Sequence, residues 1–220
     1  MPGEQYFAAS PRVAPHPTEV GFTAGGRQFR LAAARGVFSA ERLDPGTSVL
    51  LHKAPLPGPE LDGALLDLGC GYGAIACVLS VFAPRATVYA VDVNTRALAL
   101  TRANAAAVDA ADRVVAATPE EVADGVRFRQ IWSNPPIRVG KGELHALLDR
   151  WLPRLEPDGV AWLVVARNLG ADSLQRWLSG QGWTVGRHAS QQGFRVLRVQ
   201  RPAGPSRNSG DESGSDPENG

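Results

Sequence analysis

The sequence holds two cysteines, one methionine and, among 23 basic residues, only two lysines. Cys70 and Cys77 have no second pair and no C-x-x-C spacing, which excludes a disulfide framework and a cysteine zinc site. They read as reduced thiols. Histidine is as sparse: His16, His52 and His188 have no carboxylate or cysteine partner at ligand spacing, so no metal is expected. Long apolar runs are missing, and the longest present are strand-sized, well short of the roughly 20 residues of a membrane-crossing helix. Met1–Ser10 lacks a basic segment followed by an apolar one, so no secretory leader is expected and the chain reads as soluble and cytoplasmic. No charge of one sign dominates either, the net being +1 over 220 residues. The segment 201–220 holds two arginines against four acids, which leaves +3 on residues 1–200. That balance does not mark a nucleic-acid binder by itself, though it leaves room for a local basic groove.

What is present is an ordinary globular share of apolar residues, 44% against 20% charged, in a length that fits one domain. Pro202–Gly220 has no Leu, Ile, Val or aromatic residue to offset the entropy of ordering it, so a disordered tail is expected. The first 20 residues, with Pro2, Pro11, Pro15 and Pro17, are expected to be irregular. Between these ends strands and helices alternate. Strands are expected at Leu65–Leu68, Thr87–Val91, Val114–Val115, Arg129–Trp132 and Val160–Ala166, with helices at Ala74–Ala83, Thr95–Val108, Gly142–Leu155 and around Ser173–Leu178. A hairpin, Trp183–Ala189 and Phe194–Val199, turns through Gln191-Gln192-Gly193. Such alternation means an α/β fold: a parallel sheet covered on both faces, with a final antiparallel pair.

The strongest motif is Asp67-x-Gly69-x-Gly71-x-Gly73, where the first of these strands passes into a helix. Glycines there let the backbone turn sharply and approach a ligand beside a helix N-terminus. Asp92 stands at the end of the next strand, where a carboxylate can hold both ribose hydroxyls of a nucleoside cofactor. Gly69-x-Gly71-x-x-Ala74 also satisfies a dinucleotide fingerprint, so NAD competes. Asp67 tilts the choice, because a carboxylate in that loop repels a pyrophosphate and suits a cationic amine or sulfonium. S-adenosyl-L-methionine carries both cations and no phosphate.

Asn134-Pro135-Pro136 ends the fourth of these strands, at the sheet edge where open α/β folds bind ligands. Two successive prolines fix φ and remove two N–H donors, leaving carbonyl oxygens held in place. The Asn134 side-chain oxygen and the Pro135 carbonyl can then accept both hydrogens of one planar amino group and turn its lone pair toward an electrophilic methyl.

With these motifs the sequence resembles class I S-adenosylmethionine-dependent methyltransferases, specifically the methyltransferase small domain family, from about Phe7 to Gln200. The likeness includes Gly36-Val37-Phe38-Ser39, Leu43-Asp44-Pro45-Gly46-Thr47, Ser133-Asn134-Pro135-Pro136-Ile137-Arg138 and Gly193-Phe194-Arg195-Val196-Leu197. It implies a Rossmann-like fold with a mostly parallel seven-stranded sheet and a terminal antiparallel hairpin. Residues 1–60 would be an N-terminal extension packing on a methyltransferase domain of residues 61–201, with the tail beyond. It implies methylation of an exocyclic amino group, guanine N2 of small-subunit ribosomal RNA foremost, with ribosomal RNA or a ribosomal subunit particle as partner and neither membrane nor metal. Asn134, Pro135 and Pro136 are the catalytic candidates. Asp67, Gly69, Gly71, Gly73, Asp92, Val93, Asn94, Thr118 and Phe38 are the cofactor-binding ones. Thr118 stands where many relatives carry an acid that meets adenine. Ile137 stands where many carry an aromatic that stacks on the target base, so Phe38 or Trp132 would take that part. Arg138, Lys141 and His145 are candidates for substrate contact. Alternatives remain open: a protein glutamine amide or small-molecule amine as acceptor, a non-catalytic cofactor-binding RNA module, and an NAD-dependent oxidoreductase.

Overall fold

The computed structural model of the chain describes residues 17–39, 41–136 and 140–202. Arg138, the first 16 residues and the tail from 203 onward lie outside the described residues. Strand β1 (Pro17–Ala24) and β2 (Arg27–Ala34) pair as an antiparallel hairpin. The expectation of irregular structure up to residue 20 therefore fails at Pro17–Val20. Proline is tolerated as the first residue of a strand, and Val20, Ala24, Phe29, Leu31 and Ala33 alternate onto one buried face. Helix α1 (Pro45–Lys53) follows, started by the Asp44 side chain, which accepts from the Thr47 N–H, and by Pro45 in the first turn.

The rest is β3 (Asp62–Leu68), α2 (Ala74–Phe82), β4 (Arg85–Val91), α3 (Thr95–Ala107), β5 (Val114–Ala117), β6 (Phe128–Ser133), α4 (Lys141–Trp151), β7 (Leu155–Ala166), α5 (Ala171–Gly180), β8 (Thr184–Gln191) and β9 (Phe194–Gln200). These strands make one seven-stranded sheet in the order β5-β4-β3-β6-β7-β9-β8. Strands β3 to β7 pair in parallel, while β9 runs antiparallel to both β7 and β8. The mostly parallel sheet with its terminal antiparallel hairpin is the expected architecture. Helix α4 stops at Trp151, short of the expected Leu155, because Pro153 lies in a 3-10 turn that has no i−4 bond to lose. Strand β7 starts five residues ahead of its apolar run, at Leu155, which pairs with Phe128 before a register shift.

One sheet face buries Leu50 of α1, Ile75 and Leu79 of α2 and Leu98 of α3, with Trp132 and Trp162 beneath them. The other buries Leu144, Leu148 and Trp151 of α4 and Leu174 and Leu178 of α5. A smaller cluster joins Val20, Leu31 and Val37 to Tyr72, Cys77 and Ala97, so the hairpin and the glycine turn share a core. Asn104 of α3 reinforces this by bonding both the N–H (2.7 Å) and the C=O (2.8 Å) of Ala32. No helix of the described residues is long and apolar enough to cross a membrane. Because β4 lies on one side of β3 and β6 on the other, the chain direction splits beside β3, and the carboxyl ends of these strands open a crevice there.

Candidate active site

The crevice is a cleft of about 520 Å³, within the usual range for small-molecule sites. Its walls come from the turns after β2 (Val37, Phe38, Asp44), β3 (Gly69, Gly71), β4 (Asp92, Val93, Asn94), β6 (Asn134, Pro135, Pro136) and β7 (Leu169), with Phe194 at the start of β9. The glycine turn has φ of +76° at Gly69, +56° at Gly71 and +86° at Gly73, a region that side chains with a Cβ rarely adopt. At Gly73 space is short too, since a Cβ would stand 2.9 Å from Thr101 Cγ2 and Oγ1. The turn is hung from β4 by the N–H groups of Gly69 and Cys70, which donate to the Val91 carbonyl at 2.8 and 3.1 Å.

Asp92 faces the cleft with both oxygens engaged on one side. Oδ2 accepts from Gly71 N–H and Oδ1 from Asn94 N–H, each at 2.9 Å. A carboxylate has about four lone-pair sites, so each oxygen keeps one for a hydroxyl. Burial pushes this carboxyl above its ordinary range, against the pull of the N–H groups of Asn94, Gly71 and Val93. Asn94 contributes its position while its side chain works for the fold. Its Oδ1 caps α3 by accepting from Arg96 and Ala97, and its Nδ2 donates to the Gly36 carbonyl at 2.9 Å. That last bond ties the Val37–Phe38 wall to the end of β4.

Asp67 is placed differently from the other loop residues. It is fully buried beneath the turn and off the cleft wall, with Oδ2 accepting from Ala76 N–H at 2.9 Å and Oδ1 without a partner. Burial, reinforced by the nearby Asp92 charge, pushes its carboxyl up to about 8. Thr118 is also off the wall, its N–H bonded to Glu121 Oε2, and Pro119 lines the cleft instead. His145 stacks on Trp177 with ring centroids 3.8 Å apart, and neither it nor the exposed Lys141 lines the cleft. Trp132 is buried in the core, donating to Gln130 Oε1, so of the two candidate stacking aromatics only Phe38, 43% exposed, stands at the cleft. Cys70 and Cys77 are free and buried, and burial pushes both thiols up, Cys77 to about 12, so neither is a nucleophile near neutral pH.

Ser133 donates to the Leu68 carbonyl at 2.7 Å, which locks the end of β6 to the end of β3 and sets Asn134 across from the glycine turn. Asn134 then meets two residues absent from the candidates above. Its Nδ2 donates to Asp44 Oδ1 at 2.6 Å and to Thr47 Oγ1 at 3.0 Å. Both amide hydrogens are used, so the remaining function of the side chain is its acceptor oxygen. The signal for Asp44 in the sequence is local: Asp-Pro is a helix-start signature, which places the residue at a cap but says nothing of a partner ninety positions on. Phe194, Leu147 and Ala166 also line the cleft, with no sequence signal that would single them out.

Among the described residues the walls carry two carboxylates, Asp44 and Asp92, and no basic side chain. Such a cleft is suited to a cation and disfavours a pyrophosphate. A small cationic nucleoside fits it in size, charge and hydroxyl recognition.

Comparison with known proteins agrees with this geometry. The family model for the methyltransferase small domain matches residues 28–198. The chain belongs to that family. It is thus a methyltransferase domain of the S-adenosylmethionine-dependent kind. Among relatives of this methyltransferase domain, the uncharacterized Bacillus subtilis protein YbxB is 28% identical over 200 residues, covering 90% of this chain and 98% of the relative. The ribosomal RNA small subunit methyltransferase C of Aeromonas hydrophila is 37% identical over 131 residues, covering 60% of this chain and 37% of the relative. The match therefore spans little more than a third of that rRNA methyltransferase, but nearly all of YbxB. A T. thermophilus 16S rRNA N2 methyltransferase, solved with S-adenosylmethionine and guanosine, superposes with a TM-score of 0.67 at 22% identity, over 87% of this chain and 52% of that one.

Proposed function

We propose that this domain methylates an exocyclic amino group, and that the acceptor is guanine N2 of small-subunit ribosomal RNA. The observation that carries the reading is Asn134, whose amide hydrogens go to Asp44 and Thr47 and leave its oxygen as an acceptor, lining the same cleft as Pro135, Asp92 and the glycine turn. When bound, S-adenosylmethionine supplies a methyl group on a positively charged sulfur. Gly69 and Gly71 keep the wall open for the methionine end while Gly73 packs off the wall against Thr101, Asp92 takes the ribose hydroxyls, and the two wall carboxylates favour the positive charge. Asn134 Oδ1 and the Pro135 carbonyl each accept one hydrogen of the acceptor amino group. A planar amino nitrogen is a poor nucleophile because its lone pair is delocalised, and two fixed acceptors steady it in the orientation that exposes that pair. The nitrogen–carbon bond forms as the sulfur–methyl bond breaks with its electron pair left on sulfur, and the nitrogen then sheds one proton to solvent, so no base is required beforehand.

The mouth of the cleft supports a nucleic-acid acceptor. Of four exposed large apolar side chains among the described residues, Phe38, Val93 and Leu169 line the cleft, and a planar base has an apolar surface to lie on. Arg35, Arg42 and Arg167, exposed and adjoining these walls in the chain, have no carboxylate partner among the described residues and are free to meet phosphates. Ribosomal RNA, free or in a subunit particle, is then the partner, and the site of action is the cytoplasm.

Mass spectrometry of ribosomal RNA nucleosides from a strain lacking this protein tests the acceptor: N2-methylguanosine is expected to fall. Unchanged nucleosides with loss of a methylated glutamine or small amine would move the acceptor to that class. Asn134→Ala is expected to keep cofactor binding and lose methyl transfer, whereas unchanged turnover would remove Asn134 from the mechanism.

A further inference from the structure

We propose that Asp44 is a positioning residue that makes the site selective for amino acceptors, by holding the Asn134 amide in one of its two orientations; the inference rests on the reading above. The two ends of an asparagine amide have nearly the same shape, and a half-turn exchanges an acceptor oxygen for a donor NH2. With the oxygen toward the cleft the site accepts hydrogens from an amino group. With the NH2 toward the cleft it opposes an amino group and favours a carbonyl, a hydroxyl oxygen or a ring nitrogen. One side chain therefore defines two specificities, and whatever sits behind the amide decides between them.

Behind it stand Asp44 Oδ1 at 2.6 Å and Thr47 Oγ1 at 3.0 Å. A hydroxyl both donates and accepts, so Thr47 satisfies either orientation by rotating its hydrogen. An ionised carboxylate only accepts. Turning the Asn134 oxygen toward it would press a lone pair against a negative charge, in place of a charge-assisted bond. Discrimination therefore lies with Asp44, and Thr47 adds to the hold.

Asp44 is itself immobilised. Its Oδ1 also accepts from the Thr47 N–H at 2.9 Å as the cap of α1, its carbonyl accepts from Ser48 N–H at 2.8 Å, and Pro45 follows it. Gly46 leaves room for this arrangement, since a Cβ there would be 2.9 Å from Asp44 Oδ1 and 3.0 Å from the Phe194 ring. The start of α1 thus serves twice, as a helix cap and as the backing of the acceptor site.

The test separates the two roles. Asp44→Asn keeps the size, and its single amide oxygen can accept from both Thr47 N–H and Asn134 as Asp44 Oδ1 does, so it is the conservative variant. Asp44→Ser also keeps a good cap, with a side chain one atom shorter. Asp44→Ser is expected to lower kcat for the amino acceptor by about tenfold or more, in line with losing one aligned polar contact at a reacting group, with cofactor affinity and Tm near wild type, whereas Asp44→Asn is expected to retain most of kcat. Thr47→Val is expected to have a smaller effect, restored by Thr47→Ser. The Asn134 side-chain amide protons should be slow to exchange in the wild type and in Asp44→Asn, and fast in Asp44→Ser, by NMR. Capping alone would leave kcat and the Asn134 resonances of Asp44→Ser unchanged, and that result overturns the inference while leaving the methyl-transfer reading intact. If Asp44→Ser does not fold, Thr47→Val against Thr47→Ser decides by the same measurements. A wild type that methylates no amino group overturns the reading itself, and this inference with it.

Discussion

Replacing Asp67 by Asn should change how the stability of this protein depends on pH. Asp67 is fully buried, its Oδ1 has no partner, and burial lifts its carboxyl from 3.8 to about 8. The folded chain therefore keeps this proton across the range from about 4 to about 8, where the unfolded chain has released it. Because the folded state binds the extra proton, its stabilising effect is greatest below the unfolded value, falls as pH rises, and is exhausted above about 8. The slope within the window is about 1.4 kcal/mol per pH unit, which integrates to about 3 to 4 kcal/mol between pH 5 and pH 8. Asn imitates the neutral acid in shape and can still accept from Ala76 N–H, yet has no proton to lose. The measurement is urea unfolding of both proteins at several pH values, taking the difference between them so that all other titrating groups cancel. Wild type is expected to lose stability relative to Asp67→Asn as pH rises to 8, with no further divergence beyond. A difference that stays flat would show that Asp67 is ionised in the fold, and a difference of opposite sign would mean an undetected positive partner.

The other expectations are more local. Gly73→Ala combines a left-handed φ of +86° with a Cβ 2.9 Å from Thr101, and should cost about 2 to 3 kcal/mol in chemical denaturation; a wild-type midpoint would refute the steric argument. Arg42→Ala and Arg167→Ala should each weaken RNA binding and lower the slope of log affinity against log salt by about 1, and an unchanged slope would take that arginine off the RNA path. His145→Ala should leave the kinetic constants of methyl transfer unchanged, because the ring stacks on Trp177 and does not line the cleft; a fall in kcat would bring it back as a substrate contact.

The parallel sheet was legible because apolar strands such as Val160–Ala166 alternate with helical segments, and several of the turns between them are marked by glycine or proline. The glycine turn, Asp92 and Asn134-Pro135-Pro136 share one cleft because each ends a parallel strand, and parallel strands ending at one edge bring their last residues together. What stayed hidden depends on depth and on distant contacts. Asp67 and Asp92 are both acids at strand ends, yet one lies beneath the turn and one on the cleft, and no local pattern separates them. Residues 17–34 hid a strand pair because Pro17 belongs to a proline-rich stretch that points to irregular chain, although it opens one strand of a hairpin turned at Gly25-Gly26. Lys141 and His145 share a helix face in the sequence, but the face turned to Trp177 is set by how α5 packs on α4.

The N-terminal segment is accordingly a wall of the site as well as an extension of the domain. Phe38 and Asp44 line the cleft, Gly36 is held by Asn94 at the end of β4, and Thr47 helps hold Asn134. The Gly36–Asn94, Thr47–Asn134 and Asp44–Asn134 bonds each join a residue before position 50 to the end of a strand more than fifty positions later. A methyltransferase unit cut at residue 61 would keep the glycine turn and Asp92 but would lose Phe38 and the backing of Asn134. The catalytic unit we infer therefore begins no later than β1, whose hairpin shares its core with Tyr72 and Ala97. Cofactor recognition and acceptor recognition then rest on different parts of the chain: the first on strand ends legible in the sequence, the second on an asparagine whose orientation is decided by the cap of α1.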